Sequence, residues 1–140
     1  MSLPFITEHI YNAPIEKLWL ALTEMDKMKQ WYFPQLTDFE PVVGFQFKFK
    51  DDGSPYKKEW TVTEVINGQK LGHTWVYKGY PGLSEVTFEL FPEEDKTRLQ
   101  LTHTGLESFP DDPHFARSRF EGGWATIIGI NLNEFLENNK

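Results

Sequence analysis

Hydrophobic residues near the start of the chain are spaced for one strand and two short helices. Residues 5–11 form an extended segment, and Asn12-Ala13-Pro14 then supplies a capping residue type and a proline suited to the first turn of a helix. Helical intervals of three and four residues follow at Ile15, Leu18, Trp19 and Leu22. The same spacing recurs at Met25, Met28, Trp31 and Tyr32. It stops before Pro34, where a helix is expected to end.

The hydrophobic period then shortens to two residues, which is the period of a β-strand. Every second residue between Gly44 and Lys50 is phenylalanine, so one face of this segment is predicted to be buried and the other solvated. Asn67-Gly68 is the strongest hairpin signal in the chain. Strand-like alternation recurs at residues 60–66, 71–77, 86–90 and 98–103, with turn residues between them. The pattern predicts an antiparallel meander.

A long helix is predicted to follow the sheet. Asp111-Asp112-Pro113 combines acidic capping residues with a first-turn proline and predicts its start. An apolar stripe then continues almost to the end of the chain at Phe115, Phe120, Trp124, Ile127, Ile128, Leu132, Phe135 and Leu136. One long helix can bury such a stripe by lying across the apolar face of the sheet. The predicted fold class is α+β, and residues 1–140 are interpreted as a single domain because no linker or repeat interrupts them.

Composition excludes several classes of function. The chain has no cysteine, so it contains no disulfide framework and no thiol nucleophile. Its formal net charge is −7 and its basic residues are scattered, so a nucleic-acid partner is not expected. Histidine and carboxylate spacings suit no metal site, no phosphate loop or serine elbow is present, and no cofactor is predicted. With no membrane span and no signal peptide in view, a cytoplasmic location is expected.

Four segments of the sequence resemble one known superfamily in the same order along the chain. They are residues 10–19 (IYNAPIEKLW), 29–34 (KQWYFP) and 97–106 (TRLQLTHTGL), and Gly123-Trp124 followed by Phe135-Leu136-Glu137. The chain resembles the START-like, or SRPBCC, superfamily, and within it the subfamily built on the C-terminal domain of the activator of heat-shock protein 90 ATPase. Relative to that pattern, one extra residue lies between Trp124 and the closing Phe-Leu-Glu. Either Asn131 or Leu132 therefore takes the inward position.

The resemblance implies a helix-grip fold: a curved antiparallel sheet wrapped around a long C-terminal helix, with two short helices after the first strand. It also implies three functions. The first is binding of an apolar or aromatic small molecule in a hydrophobic cavity between sheet and helix. The alternative is an interaction module for a heat-shock chaperone, with a role in the stress response. The third and least favoured is a cyclase- or aromatase-like enzyme, for which His73, His103 and Glu64 would be the residues to suspect, although no catalytic residue is assigned.

Aromatic residues make up 16% of the chain, and they either fill the core or line such a cavity. Three glycines within the predicted C-terminal helix, Gly122, Gly123 and Gly129, favour a cavity because each costs helix stability unless packing or access requires it. The predicted ligand-contacting residues are Trp31, Phe45, Phe47, Trp60, Val62, His73, Trp75, Phe88, Leu101, His103, Trp124 and Ile128.

Polar residues on apolar strand faces are the other candidates for function. His73 and His103 fall among inward-facing positions, and Glu64 does so unless a bulge turns it outward. A buried imidazole needs a partner, which a ligand, an acid–base role or an ordinary core hydrogen bond would supply.

Two further features near the predicted cavity have two interpretations each. Arg117 and Arg119 either attract an anionic group to the mouth of a cavity or pair with nearby carboxylates on a solvated helix face. The run Trp31-Tyr32-Phe33 is interpreted either as a gate to the cavity or as a hydrophobic plug.

Overall fold

A curved antiparallel sheet forms the centre of the computed structural model, which describes residues 3–51 and 53–139. Its five strands run in the order β1-β7-β6-β5-β4. Their bounds are β1 (Phe5–Tyr11), β4 (Val62–Ile66), β5 (Lys70–Trp75), β6 (Ser84–Glu93) and β7 (Lys96–Thr104). Two shorter strands, β2 (Leu36–Asp38) and β3 (Lys48–Phe49), pair with each other. Backbone hydrogen bonds from Phe47 to Trp60 and from Val62 to Phe45 join this pair to the β4 edge.

Local sequence explains the connections between these elements. Helices α1 (Ile15–Thr23) and α2 (Met25–Trp31) follow β1, where the hydrophobic spacing predicts them. Gly68 has φ of +75°, which is the left-handed conformation that the tight turn between β4 and β5 requires. In the described residues, strands β2 to β7 follow the two helices and precede the long helix, which confirms the predicted order of strand, two short helices, antiparallel meander and long helix.

The C-terminal helix consists of α3 (Arg117–Thr126), a π-helical turn (Ile127–Asn131) and α4 (Leu132–Asn138), which follow one another without a break. It packs across the concave face of the sheet, which is the helix-grip arrangement. Asp111-Asp112-Pro113 does not begin this helix, contrary to the prediction. Pro113–Phe115 instead forms a separate 3₁₀ turn, and Ala116 is extended with ψ of 140°.

Tertiary contacts explain why the helix begins late. The ring of Phe115 is buried and lies 5.6 Å from the ring of Tyr77, 5.4 Å from that of Tyr80 and 5.3 Å from that of Phe109, measured between centroids. This aromatic cluster at the end of the sheet holds the 3₁₀ turn in place, so the chain must change direction at Ala116 before the helix can begin.

The π-helical turn accommodates the extra residue that the sequence shows after Trp124. The Leu132 amide donates to the carbonyl of Ile127, five residues earlier, which is the π-type hydrogen bond. In a regular α-helix, residues four positions apart are offset by about 40° around the helix axis. The wider π-helical turn offsets this rotation, so Ile128 and Leu132 both face the sheet. Leu132 is fully buried and Asn131 is only half-buried, so Leu132 takes the inward position.

Candidate functional site

Aromatic rings fill most of the space between the sheet and the C-terminal helix. The Trp60 ring is stacked 5.0 Å from the ring of His73 and lies tilted 4.2 Å from that of Trp75, and the Trp75 ring lies 5.3 Å from that of Trp124 on the helix. All four side chains are almost completely buried. The interior is therefore a packed aromatic cluster, and open space is found where this cluster ends.

His73 is held in the cluster by two hydrogen bonds. Its Nδ1 lies 2.7 Å from the carbonyl oxygen of Thr74, and its Nε2 lies 3.0 Å from the hydroxyl of Tyr32 on the far side of the interior. A carbonyl oxygen only accepts, so Nδ1 carries the proton and Nε2 accepts from the Tyr32 hydroxyl. This pair joins strand β5 to the residue that follows helix α2.

His103 takes the opposite tautomer in a second chain of hydrogen bonds. The indole N–H of Trp124 donates to His103 Nδ1 over 3.0 Å, so the proton of the neutral ring is on Nε2. Nε2 then donates to Ser84 Oγ over 3.0 Å, and the Ser84 hydroxyl donates to the carbonyl of Trp75 over 2.5 Å. The chain connects the C-terminal helix to strands β7, β6 and β5.

Burial keeps both histidines neutral. Desolvation lowers the pKa of His73 to about 4. Desolvation, with a smaller contribution from the nearby His73, lowers the pKa of His103 to about 3. Burial likewise raises the pKa of Tyr32 well above its usual range. Because every ring nitrogen has a partner and neither ring is exposed, hydrogen bonds of the core account for both histidines.

A pocket of about 190 Å³ opens at the end of the aromatic cluster, between the sheet and the C-terminal helix. The lining comes from the end of strand β5 and Tyr77 beyond it, from helix α3 and the start of the π-helical turn, and from Phe33 after helix α2. The lining residues are Phe33, Trp75, Tyr77, Arg119, Phe120, Gly123, Trp124 and Ile127. A Cβ atom added at Gly123 would meet no atom within 4 Å, so this glycine leaves space at the wall of the pocket.

The two arginines near the start of helix α3 differ in their partners. Arg117 Nε donates to Glu121 over 2.9 Å, four residues later, which confirms the carboxylate pairing for this residue. Among the described residues, Arg119 has no ion-pair partner, although it lines the pocket. Its charge reaches Tyr77: burial raises the pKa of that hydroxyl, while the hydrogen bond from Trp75 and the Arg119 guanidinium lower it.

Two of the predicted ligand-contacting residues, Trp75 and Trp124, line this pocket. Phe45 is half-buried against Phe39. The others lie in the buried core, at Trp31, Phe47, Trp60, Val62, His73, Phe88, Leu101, His103 and Ile128. Their part in ligand binding stays a prediction.

Six pocket residues fall outside the predicted set: Phe33, Tyr77, Arg119, Phe120, Gly123 and Ile127. The run Trp31-Tyr32-Phe33 draws attention to Phe33, and the helix glycines draw attention to Gly123, but neither pattern indicates that the two residues share a pocket.

Glu64 does not join the interior. A register shift in the pairing of β4 with β5 lies between Val62 and Glu64, and the carboxylate pairs with Lys70 at 3.3 Å, with 44% of its side chain exposed. Across residues 3–51 and 53–139, no three histidine or carboxylate side chains are grouped closely enough to hold a metal ion. In the same ranges, no helix combines the length and the apolar character needed to cross a membrane.

Comparison with known proteins places the fold in one family. The sequence pattern described as Activator of Hsp90 ATPase homolog 1-like protein matches residues 12–137. No protein with a curated functional description matches the sequence.

Solved structures share the fold at low sequence identity. Protein MLL2253 from Mesorhizobium loti is 26% identical with a TM-score of 0.80, and the match covers 99% of each chain. PFC0360w, an HSP90 activator from Plasmodium falciparum, is 22% identical with a TM-score of 0.76 over 97% of each chain. DynU16, from the dynemicin biosynthetic locus, is 21% identical with a TM-score of 0.78, over 100% of this chain and 49% of its own.

Proposed function

The chain belongs to the family of Activator of Hsp90 ATPase homolog 1-like proteins, and from that premise we propose that it binds a small apolar or aromatic compound between the sheet and the C-terminal helix. The observation that carries the proposal is the pocket between Trp75 and Trp124. Its walls are mostly aromatic, and a hydroxyl and a guanidinium stand at its edge, which is the composition typical of small-molecule sites.

The volume of the pocket limits the size of the ligand. Drug-sized ligands occupy pockets of about 300–1,000 Å³, whereas an apolar cavity of about 150 Å³ holds benzene. A pocket of about 190 Å³ therefore suits a compound with one aromatic ring, or a short aliphatic chain, and few substituents. A larger ligand would extend out of the open side of the pocket or displace Phe33, which is half-buried and lines it.

Filling the pocket from the helix side tests the proposal. Gly123→Leu places a side chain at the pocket wall, whereas Gly122→Leu places the same side chain on the neighbouring residue, which does not line the pocket. Both positions have open space around an added Cβ, and both substitutions raise helix propensity by about 0.8–1 kcal/mol, so both variants are expected to fold.

Binding of 4-fluorobenzamide, a neutral one-ring probe, is measured by fluorine NMR titration. We expect saturable binding to the wild type and to Gly122→Leu, and binding at least about tenfold weaker to Gly123→Leu. Equal affinity for all three proteins would place the probe elsewhere. No saturable binding of this probe to the wild type would count directly against the pocket as a ligand site.

A second candidate function is a chaperone-associated interaction module acting in the cytoplasm. The family description supports it, and so does the outer face of edge strand β1, where Ile6 and Ile10 are each about half exposed. The test is the ATPase rate of the heat-shock protein 90 from the same organism, with and without this protein. Stimulation by the wild type that is lost in an Ile6→Asn, Ile10→Asn double variant would support this function, and an unchanged rate would oppose it.

A further inference from the structure

We propose that the ligand of this pocket carries an anionic group, such as a carboxylate, and that Arg119 binds it. This inference rests on the proposed function, because it assigns the chemical class of the compound that enters the same pocket. Among the described residues that line the pocket, Arg119 is the one charged side chain. The aromatic walls would hold the ring of the ligand, and the guanidinium would hold its acid group at the open end.

Among the described residues Arg119 has no ion-pair partner, and the helix sequence explains why none lies on its own helix. Residues three and four positions apart are neighbours on a helix surface. For Arg119 these neighbours are Phe115, Ala116, Gly122 and Gly123, and none of them carries a carboxylate. Arg117, two residues earlier, has Glu121 at the fourth position and pairs with it.

Arg119 is an exposed residue among those that line the pocket, and it carries a planar set of donors that no described carboxylate occupies. Guanidinium groups bind carboxylates with two parallel hydrogen bonds, which fixes the orientation of a ligand as well as adding affinity.

The negative net charge of the protein does not cancel this local attraction. The formal net charge is −7, and at a distance it repels anions. At about 0.1 M salt, exposed charges more than about 10 Å apart are largely screened. Among the described residues no acidic side chain lines the pocket. Arg119 is the charged side chain in its lining, and Lys58 Nζ, 5.0 Å from the centroid of the Phe33 ring, adds to the positive charge nearby.

Three probes of the same shape separate charge from ring binding: 4-fluorobenzoate is anionic, 4-fluorobenzamide is neutral and 4-fluorobenzylamine is cationic. Each is titrated by fluorine NMR into the wild type, Arg119→Gln and the matched control Arg117→Gln. We expect the wild type and Arg117→Gln to bind the benzoate about five- to tenfold more tightly than the amide, and the amine most weakly. In Arg119→Gln the benzoate is expected to bind no better than the amide, so the ratio of the two affinities falls to about one.

The outcomes distinguish this inference from the proposed function. If the wild type binds the amide but binds the benzoate no more tightly, the anionic ligand is refuted and the pocket stands. The same conclusion follows if Arg119→Gln leaves the benzoate affinity unchanged. If none of the probes binds the wild type, the pocket itself fails. Salt supplies a test without mutation: raising it from about 0.05 to about 0.5 M should weaken benzoate binding severalfold and leave amide binding unchanged. Equal salt responses of the two probes would also refute the role of Arg119.

Discussion

Acidification is expected to destabilise the fold through the two buried histidines. The pKa of His73 is about 4 and that of His103 is about 3 in the folded protein, whereas both have pKa values near 6.5 when unfolded. Because the folded pKa values are depressed, the unfolded chain binds more protons, and stability falls as the pH drops below about 6.5 towards the folded values. At about pH 5 each ring lowers the free energy of unfolding by about 2 kcal/mol relative to pH 7.5, so the two rings together lower it by about 4 kcal/mol.

The assay is the free energy of unfolding from urea titrations at several pH values between 7.5 and 5. The slope of this free energy against pH, taken at about pH 5.5, is expected to correspond to nearly two protons taken up on unfolding. His103→Gln should lower that uptake to about one proton, whereas the partly exposed His9, replaced by Gln as a control, should change it little. A free energy of unfolding that stays level across this range would refute the conclusion that both rings are buried and neutral.

Three further substitutions, one of them a control, test particular contacts of the backbone. Tyr11→Phe removes the 2.6 Å hydrogen bond from the Tyr11 hydroxyl to the carbonyl of Ile128 in the π-helical turn. Urea titration should show a free energy of unfolding lower by about 1–2 kcal/mol. An unchanged value would mean that the turn does not need this donor. Gly105→Ala should cost about 3 kcal/mol, because φ is +81° and the new Cβ would lie 2.3 Å from the carbonyl oxygen of Leu83. Gly68→Ala, with a similar φ but open space, should cost only about 1 kcal/mol, and equal losses at the two glycines would contradict the close approach at Gly105.

The elements that depend on local spacing could be predicted from the sequence. The hairpin at Asn67-Gly68 needs only a glycine with positive φ between two strands, and the structure confirms it. The short helices follow equally local hydrophobic intervals. The start of the C-terminal helix depends instead on where the ring of Phe115 packs against the end of the sheet, so its capping signal is misleading.

The pocket could not be assembled from the sequence, because its residues come from separate elements. Phe33, Tyr77 and Ile127 are distant in the chain and meet only when the sheet curves around the helix. The conspicuous aromatic and histidine positions identify the packed interior better than its open end. One local signal was available, since the glycines that follow Arg119 leave it without a carboxylate at helical spacing.

The most direct test of ligand binding at this pocket follows the indole N–H signals of the tryptophans by ¹H–¹⁵N NMR during a titration with 4-fluorobenzoate. Trp75 and Trp124 line the pocket, whereas the Trp31 indole donates to the carbonyl of Ala21 on the far side of the core. Binding at this pocket predicts saturable shifts of the Trp75 and Trp124 signals and an unmoved Trp31 signal. Equal movement of all three signals, or movement of none, would contradict it.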